Sequence, residues 1–129
     1  MIQSLHIKDF ALIDELEVSF GQGLNILTGQ TGAGKSIIIG ALNMILGERA
    51  DTEVIRRGAD KAISEATIKY FESETLKNLL TENEVELGDY LILRREIRQT
   101  GSRAFINDTP VNIGVLKAVG DQLVDLHGQ

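Results

Sequence analysis

Leu24-Asn25-Ile26-Leu27-Thr28, then Gly29-Gln30-Thr31-Gly32-Ala33-Gly34-Lys35-Ser36, then Ile37-Ile38-Ile39-Gly40-Ala41-Leu42-Asn43-Met44-Ile45-Leu46 is the stretch that decides the fold. The middle octet fits G-x-x-x-x-G-K-[ST], the phosphate-binding P-loop. Each part has a physical reason. Glycines let the backbone wrap an anion with its N–H groups pointing inward, where Cβ atoms would obstruct. The helix that starts at the end of the loop aims its positive end at the same anion. Lys35 is expected to reach β- and γ-phosphate oxygens, and Ser36 to offer a hydroxyl to Mg²⁺. The flanks meet the motif's context requirement: a short, mostly apolar strand precedes the loop and a helix follows. The helix segment is apolar almost all round, so it is expected to be buried. Residues 29–36 are thus the candidate site for ATP with Mg²⁺.

Upstream, residues 2–9 and 12–20 read as two strands. Leu12, Leu16, Val18 and Phe20 alternate roughly with Asp14, Glu15, Glu17 and Ser19, and Gly21-Gln22-Gly23 is a turn. In compact kinases and small GTPases the P-loop follows the first strand almost at once. A two-strand ribbon ahead of it instead fits ATP-binding-cassette (ABC) heads, in which an antiparallel sub-sheet lies beside the P-loop and touches the base. The expected fold is therefore α/β: a P-loop NTPase of ABC-type head architecture, with an antiparallel β sub-sheet beside a P-loop strand–helix unit. Phe10, on the ribbon, is a candidate for packing on adenine or, equally in character, a core residue. Downstream, residues 47–62 read as a polar loop with one helical turn, 63–71 as a strand and 74–82 as a short helix. Residues 90–98 and 103–107 read as a hairpin turning at Gln99-Thr100-Gly101-Ser102 and ended by Pro110. A helix over 112–120 takes Asn112 as N-cap, and 122–127 is a last strand or a continuation of that helix.

The 129 residues carry 13 Lys and Arg against 19 Asp and Glu, a net charge of −6, which argues against a large generic nucleic-acid-binding face. The charge is uneven: Glu82, Glu84, Glu86 and Asp89 precede Arg94, Arg95, Arg98 and Arg103, a candidate basic ribbon or simply a solvated hairpin. There is no cysteine, hence no disulfide, thiolate metal site or cysteine nucleophile. Two lone histidines, His6 and His127, make no zinc pattern. No apolar run reaches 18 residues and no basic leader precedes an apolar core, so no membrane partner is expected and the cytosol is the simplest location.

The runs Leu5-His6-Ile7-Lys8-Asp9-Phe10-Ala11-Leu12-Ile13, Gly23 through Ser36, Leu46-Gly47-Glu48-Arg49-Ala50, Arg103-Ala104-Phe105-Ile106-Asn107 and Leu123-Val124-Asp125-Leu126-His127-Gly128-Gln129 resemble the head of the RecN family of DNA repair ATPases, with residues 60–90 the least distinctive. That family belongs to the structural-maintenance-of-chromosomes (SMC) class, in which two head segments fold together around an intervening coiled coil and ATP is sandwiched between two heads. The resemblance implies a role in double-strand-break repair and recombination, with DNA, the rest of the head and a second head of a homodimer as partners, in the cytoplasm and on the nucleoid. It implies that Gln129 is the Q-loop glutamine that approaches Mg²⁺ and the attacking water, a catalytic residue beside Lys35. Arg56 and Arg57 fall where relatives carry an arginine near phosphate or DNA.

Other parts of such a head are missing from the sequence. No acidic pair closes an apolar strand, since Asp125 in Leu123-Val124-Asp125-Leu126 lacks both the strand and the following Glu. No Leu-Ser-Gly-Gly-type segment and no heptad run occur. Residues 1–129 are accordingly expected to be the N-terminal part of one incomplete head, binding ATP weakly without turnover. Such a half-sheet is also expected to bear an uncovered edge prone to self-association. The alternatives are a P-loop kinase-type enzyme and a non-catalytic DNA-binding or dimerisation module using Arg94–Arg103.

Overall fold

The computed structural model describes residues 2–20, 32–70 and 73–127. Strands β1 (Ile2–Phe10) and β2 (Ile13–Ser19) form the N-terminal ribbon, followed by helix α1 (Gly32–Ile45), a 3-10 turn at Thr52–Val54 and strand β3 (Lys61–Lys69). Helix α2 (Glu74–Glu82), strands β4 (Tyr90–Arg98), β5 (Gly101–Ile106) and β6 (Thr109–Val111), and helix α3 (Ile113–His127) complete the order. The strands make one antiparallel sheet in the order β2-β1-β3-β4-β5-β6. The strand expected at 24–28 lies outside the described residues. No described helix is long and apolar enough to cross a membrane.

The period-2 pattern sets the core. Val18, Leu5, Ala66, Leu93 and Ile106 sit opposite one another across five strands and are all buried. Onto this face pack Ile38, Ala41, Met44 and Ile45 of α1, Leu76 and Leu80 of α2, and Leu116, Val119 and Leu123 of α3. Ser64 Oγ donates to the Ala41 carbonyl at 2.9 Å, so the one buried hydroxyl at the helix–sheet seam is satisfied. Helix α2 starts where expected, its first turn capped by Ser73, and α3 is capped by Asn112 Oδ1, which accepts from the Val115 N–H at 3.0 Å.

Several expectations are corrected. Helix α1 buries one face only: Ile39 is 53% exposed, because α1 lies flat on the sheet and no described element covers its far side. Leu12 is not a strand residue. It stands 87% exposed at the β1–β2 turn, where Asp9 and Ala11 take positive φ. The β4–β5 hairpin turns on Gln99-Thr100 alone, with Arg98 paired to Gly101, so Gly101 and Ser102 belong to β5. Pro110 does not end the unit but lies within β6, an edge strand where its missing N–H leaves no ladder bond unmade. Residues 122–127 continue α3. The sheet's edges among the described residues are β2, which carries Asp14, Glu15 and Glu17, and three-residue β6, both of the kind that resists strand addition.

The turn between β5 and β6 has no counterpart in the sequence reading. Asn107 and Asp108 both have positive φ, 49° and 66°, the requirement of a two-residue hairpin turn. Asn107 also ties three segments together. Its Oδ1 accepts from the Ile92 N–H and its Nδ2 donates to the Glu86 carbonyl, both at 2.8 Å. Asn107→Gly keeps the backbone conformation and removes both bonds. It should lower unfolding free energy by about 1–3 kcal/mol in urea titration with an unchanged fold by circular dichroism.

Candidate nucleotide-binding site

Helix α1 begins within the motif, so Gly32, Ala33, Gly34, Lys35 and Ser36 occupy its opening turn, while Gly29, Gln30 and Thr31 lie outside the described residues. Lys35 and Ser36 are exposed. No described carboxylate engages Lys35 in an ion pair, which leaves its ammonium available to an incoming anion. The first-turn N–H groups of a helix have no intrahelical acceptor and carry partial positive charge. These residues therefore fit a phosphate group with its Mg²⁺: free backbone donors, one cation and one hydroxyl at one helix end.

The far end of α1 is held by a residue whose role the sequence did not disclose. Arg95 on β4 is only 2% exposed. Its Nη1 donates to the carbonyls of Met44 and Glu48 at 2.8 and 2.7 Å, and Nε and Nη2 reach Ser102 Oγ at 3.3 and 3.1 Å. The guanidinium thus binds carbonyls at and just beyond the helix C-terminus, where a cation is favoured, and ties them to β5. Burial pushes its pKa down. Cues for it existed: β4 alternates, so of two adjacent arginines one must face the core.

That alternation overturns the basic ribbon. Arg94 faces the opposite side, with Nη1 on Asp108 and Glu65 at 2.8 and 3.3 Å, Nε on Glu96 at 3.2 Å and its charge 4.3 Å above the Phe105 ring. Partial burial works against its charge, but the hydrogen bonds to Asp108 and Glu65 and the charges of Glu96 and Asp108 outweigh it and raise the pKa. Arg94 and Arg95 are both engaged inside the chain, and only Arg98 and Arg103 of the four stay exposed. Arg56 pairs with Asp14 and Asp9 at 3.6 and 3.9 Å, whereas Arg57 is exposed. Phe10 is a core residue, 2% exposed. Asp125 belongs to helix α3 and not to a strand, and Gln129 lies outside the described residues. Among the described residues no cluster of His, Asp and Glu is arranged to hold a metal.

A sheet with helices on one face and a P-loop at a helix N-terminus defines a class, and comparison with known proteins agrees. The chain belongs to the AAA domain family, whose model matches residues 4–115. More particularly, it is similar over its whole length to proteins named DNA repair protein RecN: 43% identical in Xylella fastidiosa (strain Temecula1), 40% in Vibrio cholerae and 40% in Bacillus subtilis (strain 168). The resemblance read from the sequence is thereby borne out. The chain spans about a quarter of those relatives, 23% of the first, 24% of the second and 23% of the third. Among solved structures, an SMC ATPase studied for ATP-driven dimerisation and DNA-stimulated activation superposes with a TM-score of 0.70 at 18% identity, covering 97% of this chain and 78% of that one. An Smc head bound to the C-terminal winged-helix domain of ScpA gives 0.64 at 19% identity, covering 92% and 39%. The recombination mediator RecF gives 0.66 at 10% identity, covering 90% and 29%. The fold is that of P-loop ATPase heads.

Arg95→Ala would take the guanidinium donor from the part-buried Glu48 carbonyl, leave the Met44 carbonyl only the Gly47 N–H at 3.2 Å and empty a buried site, and should cost about 2–4 kcal/mol of stability. Arg95→Lys, a point charge in place of a fork, should recover only part of it in the same denaturant titration.

Proposed function

We propose that the chain is the N-terminal part of an ATP-binding head of a RecN-like DNA repair protein, acting in double-strand-break repair and recombination through ATP-driven head dimerisation. The observation that carries this reading is the motif Gly29–Ser36 running into α1, in a chain whose RecN relatives align along its whole length. Residues 29–34 would supply backbone N–H groups to the phosphates. Lys35 would neutralise phosphate charge, and the Ser36 hydroxyl would help hold Mg²⁺. Gln129 is the residue that would serve the metal and the attacking water. When bound, Mg²⁺ neutralises charge developing on the transferred phosphoryl group. The parent protein is an ATP hydrolase whose further partners are DNA, the remainder of its own head and a second copy. Its location is the cytoplasm, and the nucleoid when it is on DNA.

The relatives are about four times as long as this chain, which supports residues 1–129 being one incomplete head domain. Phosphoryl transfer is catalysed mostly by positioning and charge neutralisation, so a chain with the phosphate cradle but no acidic pair and no partner-head contact binds nucleotide without turning it over. No observation favours a kinase-type reading over this one, whereas the RecN relatives and the head structures favour the head.

Titration with a fluorescent ATP analogue and Mg²⁺ tests the reading. Binding should be weak and measurable, and Lys35→Ala should weaken it by at least about tenfold, as the removal of one charge-assisted hydrogen bond does. Since Lys35 is exposed, the variant should keep its stability to within about 0.5 kcal/mol. The chain alone should show no steady ATP hydrolysis above buffer. Rapid turnover abolished by Lys35→Ala would overturn the assignment of the catalytic residues to an absent part of the head.

A further inference from the structure

Of the cations that the structure leaves without an ion pair among the described residues, three converge on one place. Arg49, in the loop after α1, Arg103 on β5 and Lys117 on α3 are all exposed and line a groove of about 1030 Å³. The buried guanidinium of Arg95 lies in the same wall and has no carboxylate partner among the described residues. One carboxylate, the exposed Glu48, also lines the groove. Four cations against one anion stand in a concavity of a chain whose net charge is −6. Outside the groove, Arg94 is neutralised at contact by three carboxylates and Arg56 by two, while Arg57 and Arg98 are exposed without an ion pair among the described residues but do not share a concavity with other cations in the way these do. Like charges left unpaired in a shared concavity repel one another, and an anion relieves that repulsion.

The groove's construction keeps the cations there. Gly47, with φ +94°, brings the loop against α3 so closely that a Cβ would sit 2.7 Å from Lys117 Cα. Arg95 binds the carbonyl of Glu48, next to Arg49, and the hydroxyl of Ser102, next to Arg103. Two of the three exposed cations are therefore chain neighbours of groups fixed by one buried side chain.

We propose that this groove binds the phosphodiester backbone of DNA, with Arg49, Arg103 and Lys117 meeting the phosphates. The identity of the polyanion rests on the reading of the chain as part of a DNA-acting head. The positive groove itself does not. An open groove with cations on three separate elements suits a chain of phosphates better than a single compact one. Binding through exposed side chains is sequence-independent and salt-sensitive.

Fluorescence anisotropy with labelled single-stranded and duplex DNA tests this over a salt series, for the wild type and an Arg49→Ala, Arg103→Ala, Lys117→Ala variant. The variant should bind at least about tenfold more weakly, and its slope of log K against log salt should be shallower by about 2–3, close to one for each phosphate no longer neutralised. Its melting temperature and its affinity for the ATP analogue should match the wild type. A Lys8→Ala, Lys77→Ala control, which removes two exposed lysines outside the groove, should keep most of the affinity. Equal DNA affinity for groove variant and wild type, a reduction as large in the control, or no DNA binding by the wild type would each overturn the proposal. So would displacement of DNA by inorganic phosphate at matched ionic strength, which would make the groove a site for a free anion. Lys35→Ala, losing nucleotide but keeping DNA, would separate failure of this site from failure of the P-loop reading.

Discussion

One helix has to be fixed at both ends, and the guanidinium of Arg95 holds the C-terminal one. A P-loop helix is useful only if its N-terminus stays where the phosphates arrive, and α1 packs on the sheet through one face alone. Apolar contact resists its lifting off, but dispersion and burial are poorly directional and do little against sliding along the sheet. Directional bonds supply the register. Ser64 fixes the middle of the helix through the Ala41 carbonyl, and Arg95 fixes its end through Met44 and the following loop through Glu48. Both anchoring side chains belong to adjacent strands, β3 and β4, so the helix is referenced to the central pair of the described sheet. A buried cation without a carboxylate is costly, and here helix-end carbonyls and a hydroxyl offset that cost in place of an ion pair.

The same anchor organises what lies beyond the helix. Gly47 takes a left-handed conformation and turns the chain against α3, where only a residue without a side chain fits. Gly120 of α3 meets Leu46 in the same manner, an added Cβ lying 3.2 Å from its side chain. These close approaches lock α3 to the end of α1 across the β5–β6 hairpin, whose tip is closed by Asn107. The loop, the hairpin and α3 all contribute to the groove that Arg49, Arg103 and Lys117 line.

How much of this the sequence discloses depends on the range of the cause. Residues 29–36 announce phosphate chemistry because wrapping an anion requires those residue types at that spacing, a purely local demand. Ribbon, helices and β4 are legible from period, and Asn112 from capping chemistry. What escapes is non-local. The apolar run of α1 reads as buried all round, but which faces are covered depends on neighbours that the run does not name. Arg94-Arg95 reads as one basic patch only if strand alternation is forgotten. Once β4 is a strand, the pair must split, one to the core and one to the outer face. Pro110 reads as a terminator unless the strand is known to be at an edge. Asn107-Asp108 escapes because the residue types favoured in such a turn include glycine, and none is present.

The split of Arg94 from Arg95 also changes how a DNA-binding surface can be sought. A substitution set built on sequence proximity, Arg94 with Arg95 and Arg98, removes the anchor of α1 and a three-carboxylate ion-pair centre at once. Weakened DNA binding in such a variant would report damaged structure. Arg49, Arg103 and Lys117 are far apart in sequence, exposed and free of internal ion pairs among the described residues, so each is removable without leaving a buried group unsatisfied. On an acidic chain the cations that matter for a polyanion are those the chain's own carboxylates have not already claimed. Counting basic residues along the sequence does not find them, whereas asking which ones the fold leaves unpaired does.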